Sequence, residues 1–177
     1  MAPNLLTFVF QPQDLYRVAA FEFGDKPWER DITAWITNRD PEGVMYTLDH
    51  GGQVWLHAAG DQLIGFSSLG VASWRYPEAD GKRVRHSHIP AVGLLPPFRG
   101  QPRDTPSAHY SDQIIDHLIY QAGQHTDRVP LLSLYVDDHN IGAVRLYERA
   151  GFRFFPRTFT SESTGRTYRA MVLDRLT

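Results

Sequence analysis

Between Val84 and Leu95 the only titratable side chains are Arg85, His86 and His88. An extended chain alternates its side chains, so the two imidazoles point the same way. With an ordinary pKa near 6.5, either could take up a proton at neutral pH. A His-x-His metal pair would need a third ligand; none is evident, and no metal is expected. Further along, Asn140, Ala143 and Tyr147 are spaced i, i+3, i+7 and would share one face of a helix. Arg99-Gly100-Gln101 forms a glycine turn ahead of a helix start near Tyr110-Ser111-Asp112, and converging N–H groups with a helix dipole suit an anion. The chain has no cysteine, which excludes thiol nucleophiles, zinc-thiolate sites and disulfides. Nor does it carry a Gly-x-Ser-x-Gly, His-Glu-x-x-His or phosphate-loop lysine signature.

Those residues need elements to hold them. Val18–Phe23 and Trp28–Asn38 read as helix, broken around Gly24-Asp25-Lys26-Pro27. Gln53–Ala58 and Leu63–Trp74 read as an antiparallel hairpin turning at Gly60-Asp61. A third strand, about Val84–Leu95, carries Pro90, which cannot donate to a ladder and predicts a bulge or a one-sided gap there. After an irregular stretch, Ile114, Ile115, Leu118, Ile119 and Ala122 define the apolar face of a helix from about Ala108 to Gln124. Leu131–Val136 is a short apolar strand. Asn140–Ala150 is a helix, with Asn140 as N-cap and Gly151 just past its end. Two strands, about Phe152–Thr158 and Thr167–Leu173, close the chain. The order α-β-β-β-α-β-α-β-β predicts an α+β fold, a largely antiparallel sheet with helices on both faces.

The run Leu132-Ser133-Leu134-Tyr135-Val136-Asp137-Asp138-His139-Asn140-Ile141-Gly142-Ala143-Val144-Arg145-Leu146-Tyr147-Glu148-Arg149-Ala150-Gly151-Phe152 resembles the C-terminal half of the GCN5-related N-acetyltransferase (GNAT) family. Pro96-Pro97-Phe98-Arg99-Gly100-Gln101 resembles that family's acyl-CoA loop, and with the element order the likeness covers about residues 50 to 175. The resemblance implies a GNAT-like three-layer sandwich, with acetyl-CoA (or another acyl-CoA) as co-substrate, no metal, and transfer of the acetyl group to a primary amine. It implies that Val92, Gly93 and Leu94 make strand-like bonds to pantetheine, with N–H groups near Gly93–Leu94 stabilising the oxyanion. Arg99, Gly100, Gln101 and Ser111 would face the diphosphate, Asn140 and Ala143 the pantetheine arm. Tyr147 would lie near the thioester sulfur as acid. A base is expected on the central strands, where His86, His88 or an ordered water could serve. The loop departs from the family's usual Arg-Gly-x-Gly-x-Gly/Ala: about seven residues are inserted, and Ser111 occupies a glycine position.

The first helices, the loop Trp74–Arg85 and the last hairpin would form the acceptor side. They hold Phe21, Phe23, Trp28, Trp74, Tyr76, Phe155, Phe159 and Tyr168 beside Glu22, Asp25, Glu29, Glu78 and Asp80, a composition suited to a cationic amine. Eighteen Lys+Arg against twenty Asp+Glu leave −2, which argues against a nucleic-acid partner. That charge also weighs against a relation to GNAT-type toxins that acetylate aminoacyl-tRNA, which tend to be basic. A non-catalytic acyl-CoA-binding regulator remains an alternative. The 177 residues predict one domain, 1–177. No apolar run is long enough to span a membrane and no signal peptide is evident, so the expected partners are a small amine-bearing acceptor or a peptide, in the cytoplasm. Family resemblance leaves a homodimer open.

Overall fold

The computed structural model describes residues 5–40, 42–75, 80–100, 109–161 and 165–174. Its strands are β1 Leu5–Val9, β2 Gln53–Ala59, β3 Gln62–Arg75, β4 Arg83–Ile89, β5 Val92–Leu94, β6 Val129–Val136, β7 Arg153–Thr160 and β8 Thr167–Asp174. The helices are α1 Leu15–Val18, α2 Pro27–Ile36, α3 Val44–Asp49, α4 Tyr110–Gly123 and α5 Ile141–Arg149. The sheet is mixed, in the order β1-β2-β3-β4-β6-β8-β7 with β5 paired to β3. Only β4–β6 is parallel among the described pairings. This is the expected α+β, GNAT-like architecture. No helix among the described residues is long and apolar enough to cross a membrane. The chain divides into two compact units, residues 1–70 with 91–114, and residues 71–90 with 115–177.

In the first unit, β1 and β3 flank β2. The β2–β3 turn places Gly60 at φ +60°, the conformation for which glycine is suited. One buried cluster joins Trp35 and Ile36 of α2, Val44 of α3 and Val18 of α1 to Val54, Leu56 and Phe66. A second joins Tyr110 and Ile114 of α4 to Ile64, Leu94 and the half-buried Val92. Gly93 lies against the rings of Phe66 and Phe23, while its neighbours join the α4 cluster. Strand alternation therefore puts helices on both faces.

Local chemistry corrects several sequence boundaries. The expected helix Val18–Phe23 is the single turn Leu15–Val18, after which Phe21 and Phe23 enter the core outside any helix or strand. Gly24 at φ +117° then turns the chain into α2, which Pro27 opens. The expected strand Val84–Leu95 breaks at Pro90-Ala91 into β4 and β5, where Ser68 holds Ala91 by its backbone and its hydroxyl. β1 and α3, five and six residues long, carried no periodicity to reveal them.

The second unit is built on the end of β3 and on β4, β6, β8 and β7. Trp74, Leu131, Phe155, Ala170 and Val172 form its buried cluster, with Val84 and Tyr135 packed alongside. Against β8, β7 slips its register between Phe154 and Thr158, a bulge that contains Phe155, Pro156 and Arg157. Proline has no N–H for the ladder, and a bulge re-aims the side chains beside it.

Candidate active site

The two histidines expected to point the same way do so, and both converge on one hydroxyl. His86 Nε2 lies 2.9 Å and His88 Nδ1 2.8 Å from Ser133 Oγ. His88 stands opposite Ser133 in the β4–β6 register. His86 Nδ1 is 3.1 Å from the Val84 carbonyl, which can only accept. His86, neutral, therefore carries its proton on Nδ1 and accepts at Nε2 from Ser133, and the Ser133 oxygen in turn accepts from His88 Nδ1–H. This assignment follows from the network, and it leaves His88 Nε2 as an unprotonated acceptor.

Burial, then the neighbouring His86 and the Arg157 guanidinium, push the His88 imidazolium pKa down to about 3. Burial and Arg157 also lower His86, against the Val84 hydrogen bond that raises it. Both rings are neutral at physiological pH. Around them stands an aromatic wall: the Trp74 ring centre lies 4.8 Å from His86, 5.9 Å from His88 and 5.4 Å from Tyr135, and Phe155 stacks on Trp74 at 6.0 Å. Arg157 crosses that wall. Its guanidinium carbon is 5.0 Å from the Trp74 ring centre, and its Nε donates to the Tyr135 hydroxyl at 2.7 Å.

On α5, Asn140 is the N-cap, its side-chain oxygen accepting from the Ala143 N–H at 3.3 Å. Its amide donors stay outside that bond. Tyr147 packs on Phe152 at 5.7 Å with a buried ring, and burial raises its hydroxyl to about 12. No hydrogen bond among the described residues links α5 to the histidine group. The preceding Asp137 accepts from His139 and pairs with Arg166, and Asp138 pairs with Arg169, which leaves the cap to Asn140.

In the first unit, β5 offers an edge for an extended ligand. Ser68 N–H donates to Ala91 C=O and Leu95 N–H to Ile64 C=O. Phe66 and Gly93, midway between these pairs, share their parity, so the backbone of Gly93 is spent on β3. The N–H and C=O of Val92 and the N–H of Leu94 face the other edge. Two of the three expected pantetheine positions therefore have backbone groups to give, as does one of the two expected oxyanion donors.

Arg99 is turned toward the protein, with one bond from each of its three nitrogens. It donates to Leu94 C=O and Phe23 C=O, each at 2.7 Å, and to Glu29 Oε1 at 2.5 Å. Glu29 also accepts from the Lys26 N–H at the start of α2. Burial alone would raise the Glu29 pKa, but the Lys26 N–H and the Arg99 contact outweigh it and hold the carboxyl below its ordinary range. Gly100, at φ +62°, is exposed, and Ser111 sits half-buried in the first turn of α4. Gln101 and the inserted loop to residue 108 lie outside the described residues, as do Tyr76 and Glu78.

Sequence reading missed Ser133, Tyr135 and Arg157 as site residues. Ser133 had a signal: it is the one polar residue inside the apolar run Leu131–Val136, on the same strand face as Tyr135. Arg157 had none, because only the bulge brings it to Trp74.

The chain is similar in fold to many solved acetyltransferases. Arabidopsis thaliana NAA60 in complex with acetyl-CoA is 17% identical, with 96% of this chain and 98% of that one covered and a TM-score of 0.59. A probable acetyltransferase from Staphylococcus epidermidis is 14% identical, with 97% and 99% covered and a TM-score of 0.65. The spermidine/spermine N-acetyltransferase SpeG from Vibrio cholerae, in complex with manganese ions, is 15% identical, with 96% and 91% covered and a TM-score of 0.57. No curated protein sequence matches. The sequence of residues 12–152 matches the Acetyltransferase (GNAT) family, and over most of its length the chain belongs to that family.

Proposed function

We propose that the protein is a single-domain N-acetyltransferase that moves an acetyl group from acetyl-CoA to a primary amine of a small molecule, amino acid or peptide, by direct attack in a ternary complex. The observation that carries the reading is the chain Val84 C=O–His86–Ser133–His88, which orients an unprotonated imidazole nitrogen among aromatic rings. Family membership supplies the acetyl donor. Without cysteine, no thiol can hold the acetyl group between two half-reactions. The N–H groups of Val92 and Leu94 and the C=O of Val92 suit the alternating amides of pantetheine.

Magnitudes decide the role of His88. A base near 3 cannot strip an ordinary ammonium: the gap to an α-amino group near 8 is about five units, roughly 7 kcal/mol. The acceptor therefore reacts as the neutral amine, its first proton lost to water. As nitrogen attacks the thioester carbon, the N–C bond forms, the nitrogen becomes cationic and His88 Nε2 receives its proton. The C–S bond then breaks, and the thiolate takes a hydrogen bond from Tyr147. With its pKa near 12, Tyr147 is a weak acid, and its role is to stabilise the leaving sulfur.

The test is release of CoA thiol from acetyl-CoA across a panel of amines, amino acids and peptides, with the product weighed by mass spectrometry. Acetyl-CoA binding without thiol release on any acceptor would instead favour a regulatory acyl-CoA sensor.

A further inference from the structure

The β7–β8 hairpin carries four described arginines. Arg153 pairs with Asp174, Arg166 with Asp137 and Arg169 with Asp138. Arg157 is different: among the described residues no carboxylate meets its guanidinium, and it is exposed. It is nonetheless held in place. Its Nε is fixed on the Tyr135 hydroxyl and its plane lies by the Trp74 ring, while the Pro156-containing bulge sets the strand beneath it. Both Nη groups keep their donors, in the planar fork that fits a carboxylate.

The same two aromatic residues border His88, with ring centres 5.9 Å (Trp74) and 5.6 Å (Tyr135) from the imidazole. A fixed cation that meets no carboxylate among the described residues and an unprotonated acceptor nitrogen thus border the same two aromatic rings. We propose that the acceptor is an amino acid or a similarly small molecule bearing a carboxylate close to its amine, the carboxylate held by Arg157 and the amine by His88 Nε2. This inference rests on the N-acetyltransferase reading and deepens it.

It departs from the expectation from composition that aromatic and acidic residues would gather around a cationic amine. Glu29 is consumed by Arg99 and the start of α2, and the Trp74 ring already carries a cation. The charge of Arg157 reaches this patch, where it adds to the burial that chiefly lowers both histidines. A polyamine would bring further positive charge against it, whereas a carboxylate would balance it.

The experiment compares the wild type with Arg157→Gln and Arg157→Lys. The probes are the twenty common amino acids, then, for the best of them, its amide and its decarboxylated amine, with spermidine and O-phosphoethanolamine beside them. Thiol release and calorimetric binding are both measured, and thermal midpoints confirm that the variants fold. The wild type should prefer the free amino acid over its amide by about tenfold or more in kcat/KM, as a bidentate charge-assisted pair allows. Arg157→Gln should bring that ratio close to one by lowering kcat/KM for the free acid far more than for the amide, and Arg157→Lys should restore part of it. An unchanged ratio in Arg157→Gln, an amide or spermidine used as well as the acid, or a preference for the phosphate each overturns the inference, while thiol release on any amine leaves the transferase reading standing. If no amine releases thiol, that reading falls; calorimetry then decides separately, since an amino acid that binds the wild type but not Arg157→Gln still supports the carboxylate site, and one that binds neither or both overturns it.

Discussion

Ser133 is the residue on which the site turns, because its single hydroxyl passes on to His88 the proton arrangement that the Val84 carbonyl imposes on His86. Ser133→Ala keeps the packing and removes the relay. Turnover should fall roughly 10-fold or more, less than the full general acid–base contribution because His88 itself remains, with acetyl-CoA affinity within about twofold of wild type. An unchanged kcat would remove the relay from the mechanism. Tyr147→Phe deletes only a hydroxyl, so it too should lower kcat more than it weakens acetyl-CoA binding, as steady-state kinetics beside calorimetry would show. The pH profile offers a separate check. With His88 neutral down to about pH 3, kcat/KM should rise with pH toward the pKa of the acceptor amine. Two acceptors of different amine pKa should give profiles displaced accordingly; a shared inflection near 6.5 would point to an ordinary histidine instead.

At the scale of elements, β5 is short and narrowly specified. A Cβ on Gly93 would come within 2.6 Å of the Phe66 ring and 2.7 Å of the Phe23 ring, both fully buried. Gly93→Ala should therefore cost about 1–3 kcal/mol by overpacking, read from urea unfolding, and should weaken acetyl-CoA binding as the β5 edge shifts. A variant as stable as wild type would mean that these rings can move. Arg99 ties the end of β5 to the start of α2 through Leu94, Phe23 and Glu29. Arg99→Met strands the largely buried Glu29 carboxylate and should destabilise by about 1–3 kcal/mol. The double change Arg99→Met with Glu29→Gln should recover part of that loss; additive losses in the cycle would show the two residues to be uncoupled.

For the whole molecule, titration fixes how stability responds to acid. His86, His88, His117 and His125 all have folded pKa values lowered chiefly by burial from 6.5. Below pH 6.5 the unfolded chain takes up protons that the folded one refuses, so stability falls with pH, and for His88 the loss continues to about pH 3. Glu29 acts in the same direction, since its stabilisation is present above 4.5 and fades as pH drops through its lower folded value. The urea midpoint should therefore decrease steadily from pH 7.5 to pH 4. A midpoint that is level between pH 7.5 and pH 5 would mean that the histidines titrate normally.

Patterning that is local in the chain was legible from the sequence: the hairpin at Gly60-Asp61, the α4 face from Ile114 to Ala122, the Asn140 cap, and the break that Pro90 imposes between β4 and β5. Each depends on neighbours within a few residues, whose backbone preferences and side-chain period can be read directly. The family resemblance rested on such patterns too, because a strand, a capped helix and a Gly-Phe pair leave a contiguous trace. The tertiary structure alone decided which groups meet. Ser133 reaches both histidines through a parallel β4–β6 register, Arg157 reaches Trp74 through a bulge, and Arg99 turns inward to Glu29, 70 residues earlier. A hydrogen bond depends on separation in space, and chain order does not record that separation once strands pair across long connections.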